Sequence, residues 1–201
     1  GECDTSIVES VCEEINQVAK KLKVIVIKST VPPGTTQKLQ EKYRKHTFVF
    51  NPEFLTEAKA FDDFITQDRI FLGYEKSRYD EKTEILYCGK KGIDKLEKLY
   101  FDFTKAQKVP AKIVKCTSQE AEMLKYVTNC FLATKIAFCN EVYDICEAVN
   151  IDYSCVRDFL KLDKRIGFSH LDVPGWDIKR MFSGKCLPKD LGSLIRFANE
   201  N

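Results

Sequence analysis

From Thr117 to Asn150 the chain runs for 34 residues without a glycine or a proline. Nothing else in the sequence limits the fold so strongly. At 1.5 Å per residue such a stretch makes a helix on the order of 50 Å long. Thr117 and Glu120 stand in capping-box spacing at its start. Its apolar positions (Met123, Leu124, Val127, Phe131, Leu132, Ile136, Phe138, Val142, Ile145) cover more than one stripe. The helix is therefore expected to be packed on several sides, as a domain spine or a subunit interface.

Upstream of it the hydrophobic period alternates. Ile7, Val8, Val11, Ile15 and Val18 keep a helical stripe, and Val24 to Ile27 then form a continuous apolar run. The pair reads as a helix followed by a buried parallel strand. "STVPPGTT" makes a turn, "TQKLQEKYRK" restarts a helix, and "TFVF", "RIFLGY" and "AKIVKC" supply further strands. The segment "KTEILYCGKKGIDKLEKLYFDFTKA", between the last two, reads as helical. Strand and helix alternate, so a parallel α/β sheet over residues 1–116, followed by an all-helical domain over 117–201, is the economical architecture. Short helices follow the long one around "YSCVRDFLKL", and an irregular stretch then leads to Cys186. No G-x-G-x-x-G fingerprint or Walker-type loop occurs, and the chain opens just ahead of a helix that feeds a strand. It reads as an internal piece of a sheet protein.

Composition narrows the function classes. A chain of 201 residues, 44% hydrophobic and 31% charged, with 14 Phe and 8 Tyr, builds a globular core of one or two domains. The net charge of +2 comes from interspersed Lys and Glu, giving no concentrated basic field for nucleic acid or an acidic membrane. No apolar stretch reaches the roughly 20 residues of a membrane span, and no signal-peptide pattern opens the chain. The expected location is cytoplasmic. Nine cysteines with no C-x-x-C pair, and two distant histidines, His46 and His170, argue against zinc and against a disulfide framework. Cys130, Cys139 and Cys146 fit a helix as small packed hydrophobes.

Four places can carry chemistry. Ser29 and Thr30 end a strand of an open sheet, where ligands bind, although the same two residues equally close the turn before Val-Pro-Pro-Gly. In "FNPEFLTEAKAFDD", Asn51 and Pro52 resemble an N-cap and first helical position. That places Glu53 in a first turn and Glu57 on the same face, either favouring the helix dipole or activating water. Lys125 and Asn129 project from one face of the long helix at i and i+4, as solvated polar groups or as donors to an oxyanion. Cys186 is flanked by Lys185 and Lys189 and followed by Pro188, which suits a helix opening that favours a thiolate. Asp190 is near enough to order a water.

The order of "KSTVPPGTT", "NPEFLTEAKAFDD", "DRIFLGY", "AEMLKYVTNCFLATKIAFCNE", "DKRIG" and "CLPKDLGSL" resembles the UDP-glucose/GDP-mannose dehydrogenases over nearly all of the chain. The resemblance implies a partial Rossmann-like NAD domain followed by a central helical dimerisation domain. It also implies a two-step oxidation of a sugar's primary alcohol to a carboxylate with two NAD+. Cys186 then captures the aldehyde as a thiohemiacetal and passes through a thioester. Lys125 and Asn129 stabilise the oxyanion and handle protons. Thr30, Glu57 and Asp190 order or activate water, with Glu57 as the base. Thr30, Glu53 and Lys189 lie near the cofactor. Glu57, Lys125, Asn129 and Gly184 line the sugar, and Arg165 reaches the neighbouring subunit's sugar-nucleotide site in a homodimer built on the long helix. UDP-glucose is the favoured substrate.

Two departures stand out. The family's "GFGG" before the nucleophile is Met181, Phe182, Ser183, Gly184 here, and Met or Ser reaches glycine-like backbone angles only at a cost. The family's complete first Rossmann unit and its base-holding last domain have no counterpart in the sequence, so weak or absent turnover is expected of the chain alone. The alternative is a non-enzymatic, degenerate paralogue whose long helix serves as an interaction module.

Overall fold

A computed structural model describes residues 3–56, 59–75, 78–80, 85–87, 92–175 and 178–201. The chain forms two compact units, Cys3–Lys125 and Tyr126–Asn201.

In the first unit α1 (Ser6–Val18) leads into β1 (Val24–Ile27), α2 (Thr35–Lys42) into β2 (Thr47–Phe50), and α3 (Ala60–Ile65) into β3 (Arg69–Tyr74). After β4 (Arg78–Asp80) and β5 (Ile85–Tyr87), α4 (Ile93–Ala106) leads into β6 (Lys112–Cys116). The four-stranded sheet runs β1-β2-β3-β6, while β4 and β5 pair antiparallel by themselves. β1 with β2 and β3 with β6 are parallel, but β3 is antiparallel to β2. The sheet is thus mixed where the sequence predicts a wholly parallel one. A parallel β2–β3 pair needs a crossover packed back along the sheet. Here Phe50 pairs with Gly73 and Val49 with Tyr74, near the far end of β3, so β3 enters from the carboxyl edge of β2 and runs back along it.

Three local expectations are corrected. The helix expected across 82–106 begins only at Ile93, after Gly92 at φ +94°, and Ile85–Tyr87 form a strand. Asn51–Pro52 open no helix; the next one is α3, capped at Lys59. On α1, Val8 and Ile15 pack beside buried Cys12, whereas Ile7, Val11 and Val18 are exposed. At 100° per residue the latter three lie about a quarter turn from the former.

The core of this unit gathers Ile25, Ile27, Leu39, Phe48 and Phe50 on one face of the sheet and Val49, Ile70, Leu72 and Ile93 on the other. The long helix α5 (Ser118–Ala148) starts against it. Its capping box forms reciprocally: the Thr117 N–H donates to Glu120 Oε2 at 2.7 Å and the Glu120 N–H to Thr117 Oγ1 at 3.2 Å. The first turn lies so close to β3 that a Cβ on Gly73 would come within 2.6 Å of Ala121 Cβ and 3.0 Å of the Thr117 carbonyl. The helix stops at Ala148, two residues short of Asn150. Asn150 takes φ +58°, and the Ile151 N–H returns to the Cys146 carbonyl at 2.9 Å.

In the second unit α5 continues, joined by α6 (Tyr153–Leu160) and α7 (Cys186–Glu200). Cys139, Cys146, Tyr153, Leu171 and Val173 form its core, and the Tyr153 hydroxyl donates to the Leu171 carbonyl at 2.7 Å. Lys135 Nζ donates to the carbonyls of Ile166, Gly167 and Ser169, closing the turn after α6. Val127, Phe131, Phe138 and Ile145 are exposed. The multi-sided packing expected of this helix is absent along that stripe. Among the described residues no helix is long and apolar enough to cross a membrane.

Candidate active site

In the first unit the candidate residues gather past the carboxyl ends of β1 and β2. Asn51, buried, ties this edge together: its Nδ2 donates to the Phe71 carbonyl at 2.8 Å, and its Oδ1 accepts from Lys28 Nζ at 2.9 Å and the Tyr100 hydroxyl at 2.5 Å. With every polar group of its side chain engaged in linking elements, Asn51 has none left for capping. Glu53 therefore lies in extended chain and not in a helical first turn. Its carboxylate accepts from the Leu55 N–H at 2.9 Å, and its carbonyl accepts from Lys125 Nζ at 2.6 Å. The Lys125 ammonium is also 3.6 Å from the Glu53 carboxylate and 5.3 Å from the Phe54 ring centroid, and only 6% of Lys125 is exposed. A buried lysine is thus held by an acid, a carbonyl and an aromatic face. Burial pulls the Lys28 ammonium below its usual range, partly offset by Glu53. Thr30 is half-buried, its carbonyl accepting from the Cys3 thiol at 3.4 Å. Glu57 lies outside the described residues.

In the second unit Cys186 is the first residue of α7 and is exposed. Pro188 sits in the first turn, where its missing N–H costs nothing. Asp190, one turn on, is only 1% exposed. It accepts from Asn129 Nδ2 at 2.5 Å and from Lys189 Nζ. A buried carboxylate needs such donors. Burial, reinforced by Asp190, raises the thiol of Cys130. Gly184 takes φ +82°, and nothing lies within 4 Å of where its Cβ would be. Arg165 is exposed and forks onto Asp163, with Nη2 at 2.5 Å and Nε at 3.0 and 3.1 Å. That pairing raises Arg165 and lowers Asp163.

The contacts therefore bring together Glu53 with Lys125, and Asn129 with Asp190 and Lys189. No described hydrogen bond or ion pair ties Thr30 or Arg165 to another candidate. Lys125 and Asn129 keep their one-turn spacing on α5.

Two polar residues of α5 escape the sequence reasoning. Glu122 is fully buried and accepts from the Gly34 N–H at 2.6 Å and the Thr36 N–H at 2.8 Å, satisfying donors at the start of α2. Burial pushes its carboxyl up to about 7 despite those donors, with Glu75 adding to the rise. Asn140 is buried on the same helix and receives the Met181 N–H. A charge or amide adjoining the buried positions Ala121 and Cys139 is the signal that marks them.

Comparison with known proteins rests on both units. The UDP-glucose/GDP-mannose dehydrogenase family matches twice, its NAD binding domain over residues 1–90 and its central domain over residues 119–201. The chain belongs to this family. Within it, the UDP-glucose 6-dehydrogenase of Rickettsia bellii is 36% identical over 206 residues, covering 100% of this chain and 42% of that protein. The Bacillus subtilis enzyme of that name, TuaD, is 35% identical over 98% of this chain and 39% of its own length. The structure of a UDP-glucose dehydrogenase from the archaeon Pyrobaculum islandicum superposes with a TM-score of 0.76 at 31% identity, covering 99% of this chain and 43% of that one. The UDP-D-ManNAc dehydrogenase of Pyrococcus horikoshii shares the fold, with a TM-score of 0.73 at 22% identity over 98% of this chain and 43% of its own. The chain spans about two-fifths of the length of the curated relatives it matches.

Proposed function

We propose that the chain carries the nucleophile-bearing part of an NAD-dependent nucleotide-sugar 6-dehydrogenase, with UDP-glucose as the favoured substrate and its uronate as product. The observation that carries this is Cys186, exposed at the head of α7, one turn before a buried Asp190 held by Asn129. An exposed cysteine at the head of a helix is open to a carbonyl that approaches from solvent. A structural cysteine belongs in the core, as Cys139 and Cys146 do.

Past the carboxyl ends of β1 and β2, the exposed Ser29 and the half-buried Thr30 offer hydroxyls suited to ribose and phosphate groups. These fit part of a dinucleotide, while the glycine-rich pyrophosphate cradle is not encoded here. Thr30, Glu53 and Lys189 are the residues assigned to the cofactor side. Bound NAD+ supplies the hydride acceptor for both oxidations.

The chain's own residues do the remainder. Cys186 Sγ adds to the C6 aldehyde as a thiohemiacetal, and at the thioester stage it is the leaving group that water displaces. Asn129 keeps Asp190 in place to orient that water, whose proton goes to the base. Lys125 carries the positive charge assigned to the developing oxyanion, with Asn129 as a second donor. Glu57 is assigned as the base, and Gly184 leaves room beside the sugar. Arg165 is assigned to a neighbouring subunit's sugar nucleotide, which requires it to leave Asp163. The same proposal includes a homodimer through the exposed stripe of α5 and a cytoplasmic location.

The direct test is NADH formation from UDP-glucose, with GDP-mannose and UDP-N-acetyl sugars as competitors. Slow, UDP-glucose-preferring turnover that disappears in Cys186→Ser supports the assignment. Where turnover is below detection, the 6-aldehyde of UDP-glucose is expected to protect Cys186, but not Cys155, from iodoacetamide. Equal turnover in Cys186→Ser, or no protection, contradicts it. The exposed stripe Phe131, Phe138 and Ile145 equally suits the rival, a non-enzymatic module bound through α5; that protein would dimerise normally and show no protection.

A further inference from the structure

Met181 has φ +64°, in the left-handed region that disfavours side chains with a Cβ. Something must hold it there. The Met181 N–H donates to Asn140 Oδ1 at 3.0 Å, and the same oxygen receives Arg180 Nε at 3.3 Å. Asn140 Nδ2 is spent on the Ile136 carbonyl at 2.9 Å, which fixes the orientation of its amide. Arg180 completes a clasp: its Nη2 donates to the Asn140 carbonyl at 3.3 Å and pairs with Asp144 at 2.5 Å, and its guanidinium carbon is 5.0 Å from the Tyr143 ring centroid. Asn140 is 2% exposed, so its oxygen has no water to turn to if these donors leave.

The segment has a second anchor on the same helix. Asn129 holds Asp190, four residues past Cys186, and Asn140 holds Met181, five residues before it. Asn129 and Asn140 are eleven residues apart on α5, which is about three turns, so they lie within roughly 20° of one face and about 16 Å apart along the axis. Two carboxamides on one helix face thus pin the two ends of the stretch that carries the sulfur.

We infer that Asn140 is a positioning residue for Cys186: it imposes the left-handed backbone at Met181 and thereby fixes the upstream end of the nucleophile segment. This rests on the proposed role of Cys186, but the restraint itself can be measured without any chemistry. Glycine adopts φ +64° freely whereas methionine must be held there, and Asn140 with Arg180 is the holder.

The experiment is amide hydrogen exchange, resolved at Met181 and across 182–186, on the whole chain. Asn140→Ala is expected to speed exchange at Met181 by at least tenfold and to loosen 182–186. Adding Met181→Gly to Asn140→Ala is expected to return exchange across 182–186 to within about threefold of the parent, because glycine needs no holder. A residue that only fills the core would not be rescued in this way. Asn140→Asp, which keeps the acceptor oxygen, is expected to leave Met181 protected and decides the matter if the alanine variant does not fold. Unchanged protection of Met181 in Asn140→Ala, no rescue by glycine, or free exchange in Asn140→Asp each overturns the inference. Iodoacetamide labelling of Cys186 and Cys155, run in parallel, keeps the two ideas separable. Equal labelling refutes the nucleophile and leaves the exchange result to judge the restraint.

Discussion

The two ends of α5 are built differently. Its first turns lie on a sheet whose two faces each carry a buried apolar cluster, and the contact is close enough to need Gly73. From Tyr126 onward the described core gathers around Cys139, Cys146, Tyr153, Leu171 and Val173, while Phe131 is 66% and Phe138 64% exposed. Polar side chains take over the work of fixing geometry: Asn129 on Asp190, Lys135 on three carbonyls, Asn140 on Met181. The lesson is that the sheet end is held by packing, whereas the end beyond Tyr126 is held by directed hydrogen bonds and leaves apolar side chains exposed.

The largest effect is expected where that apolar surface is made charged. Phe131→Glu with Phe138→Glu should leave the thermal midpoint of the monomer near that of the parent and weaken self-association by a thousandfold or more. Two phenylalanines per protomer are at stake, each worth about 1.5–3 kcal/mol when buried. Sedimentation equilibrium measures it, and an unchanged association constant, or no association in the parent, would contradict the proposed homodimer through α5.

Next comes Glu122. Its folded carboxyl, at about 7, lies above the ordinary 4.5. The folded state therefore holds the extra proton between those values, so stability is full below about pH 4.5 and falls as pH rises through 7. The loss between pH 5 and 8 is on the order of 3 kcal/mol. His46, buried and held below its usual range by burial and by Lys45 and Lys23, acts in the opposite sense and costs stability as pH falls below 6.5. Denaturant midpoints of the parent minus those of Glu122→Gln across that range isolate the first term, and a flat difference would refute it.

At Gly73 a new methyl meets α5, so Gly73→Ala should cost about 1–3 kcal/mol by overpacking. Gly184→Ala should cost less, since open space surrounds it and only its φ of +82° is strained. Asn129→Ala should cost about 1–2 kcal/mol by stripping a donor from the buried Asp190. Chemical denaturation ranks all three.

Much of the sheet end is legible in the sequence because its signals are local. The apolar runs at Val24–Ile27 and Thr47–Phe50, the Thr117–Glu120 box and the Gly- and Pro-free run each announce an element. What the sequence hides there is direction and partnership. The reversal of β3 lies in its pairing with β2 and not in its own residues, and Asn51 looks like a cap until Lys28, Tyr100 and Phe71 are seen to claim its amide. At the nucleophile end, Cys186 and Asp190 are marked by their setting in "CLPKD", but their supports are not. Asn140 reads as an ordinary polar residue, because its donors come from forty and forty-one positions away. Met181 reads as a lost glycine, when the chain keeps the glycine-like angle and supplies a clasp for it.

Competitive alkylation reaches the heart of the account. Iodoacetamide at neutral pH, with each cysteine followed by peptide mapping, compares Cys186 with Cys155, an exposed cysteine in the first turn of α6 whose thiol donates to Asp152 at 3.7 Å. Cys186 is expected to react at least ten times faster. Equal rates for the two would mean that the head of α7 confers nothing on its sulfur, and the nucleophile would have to be abandoned.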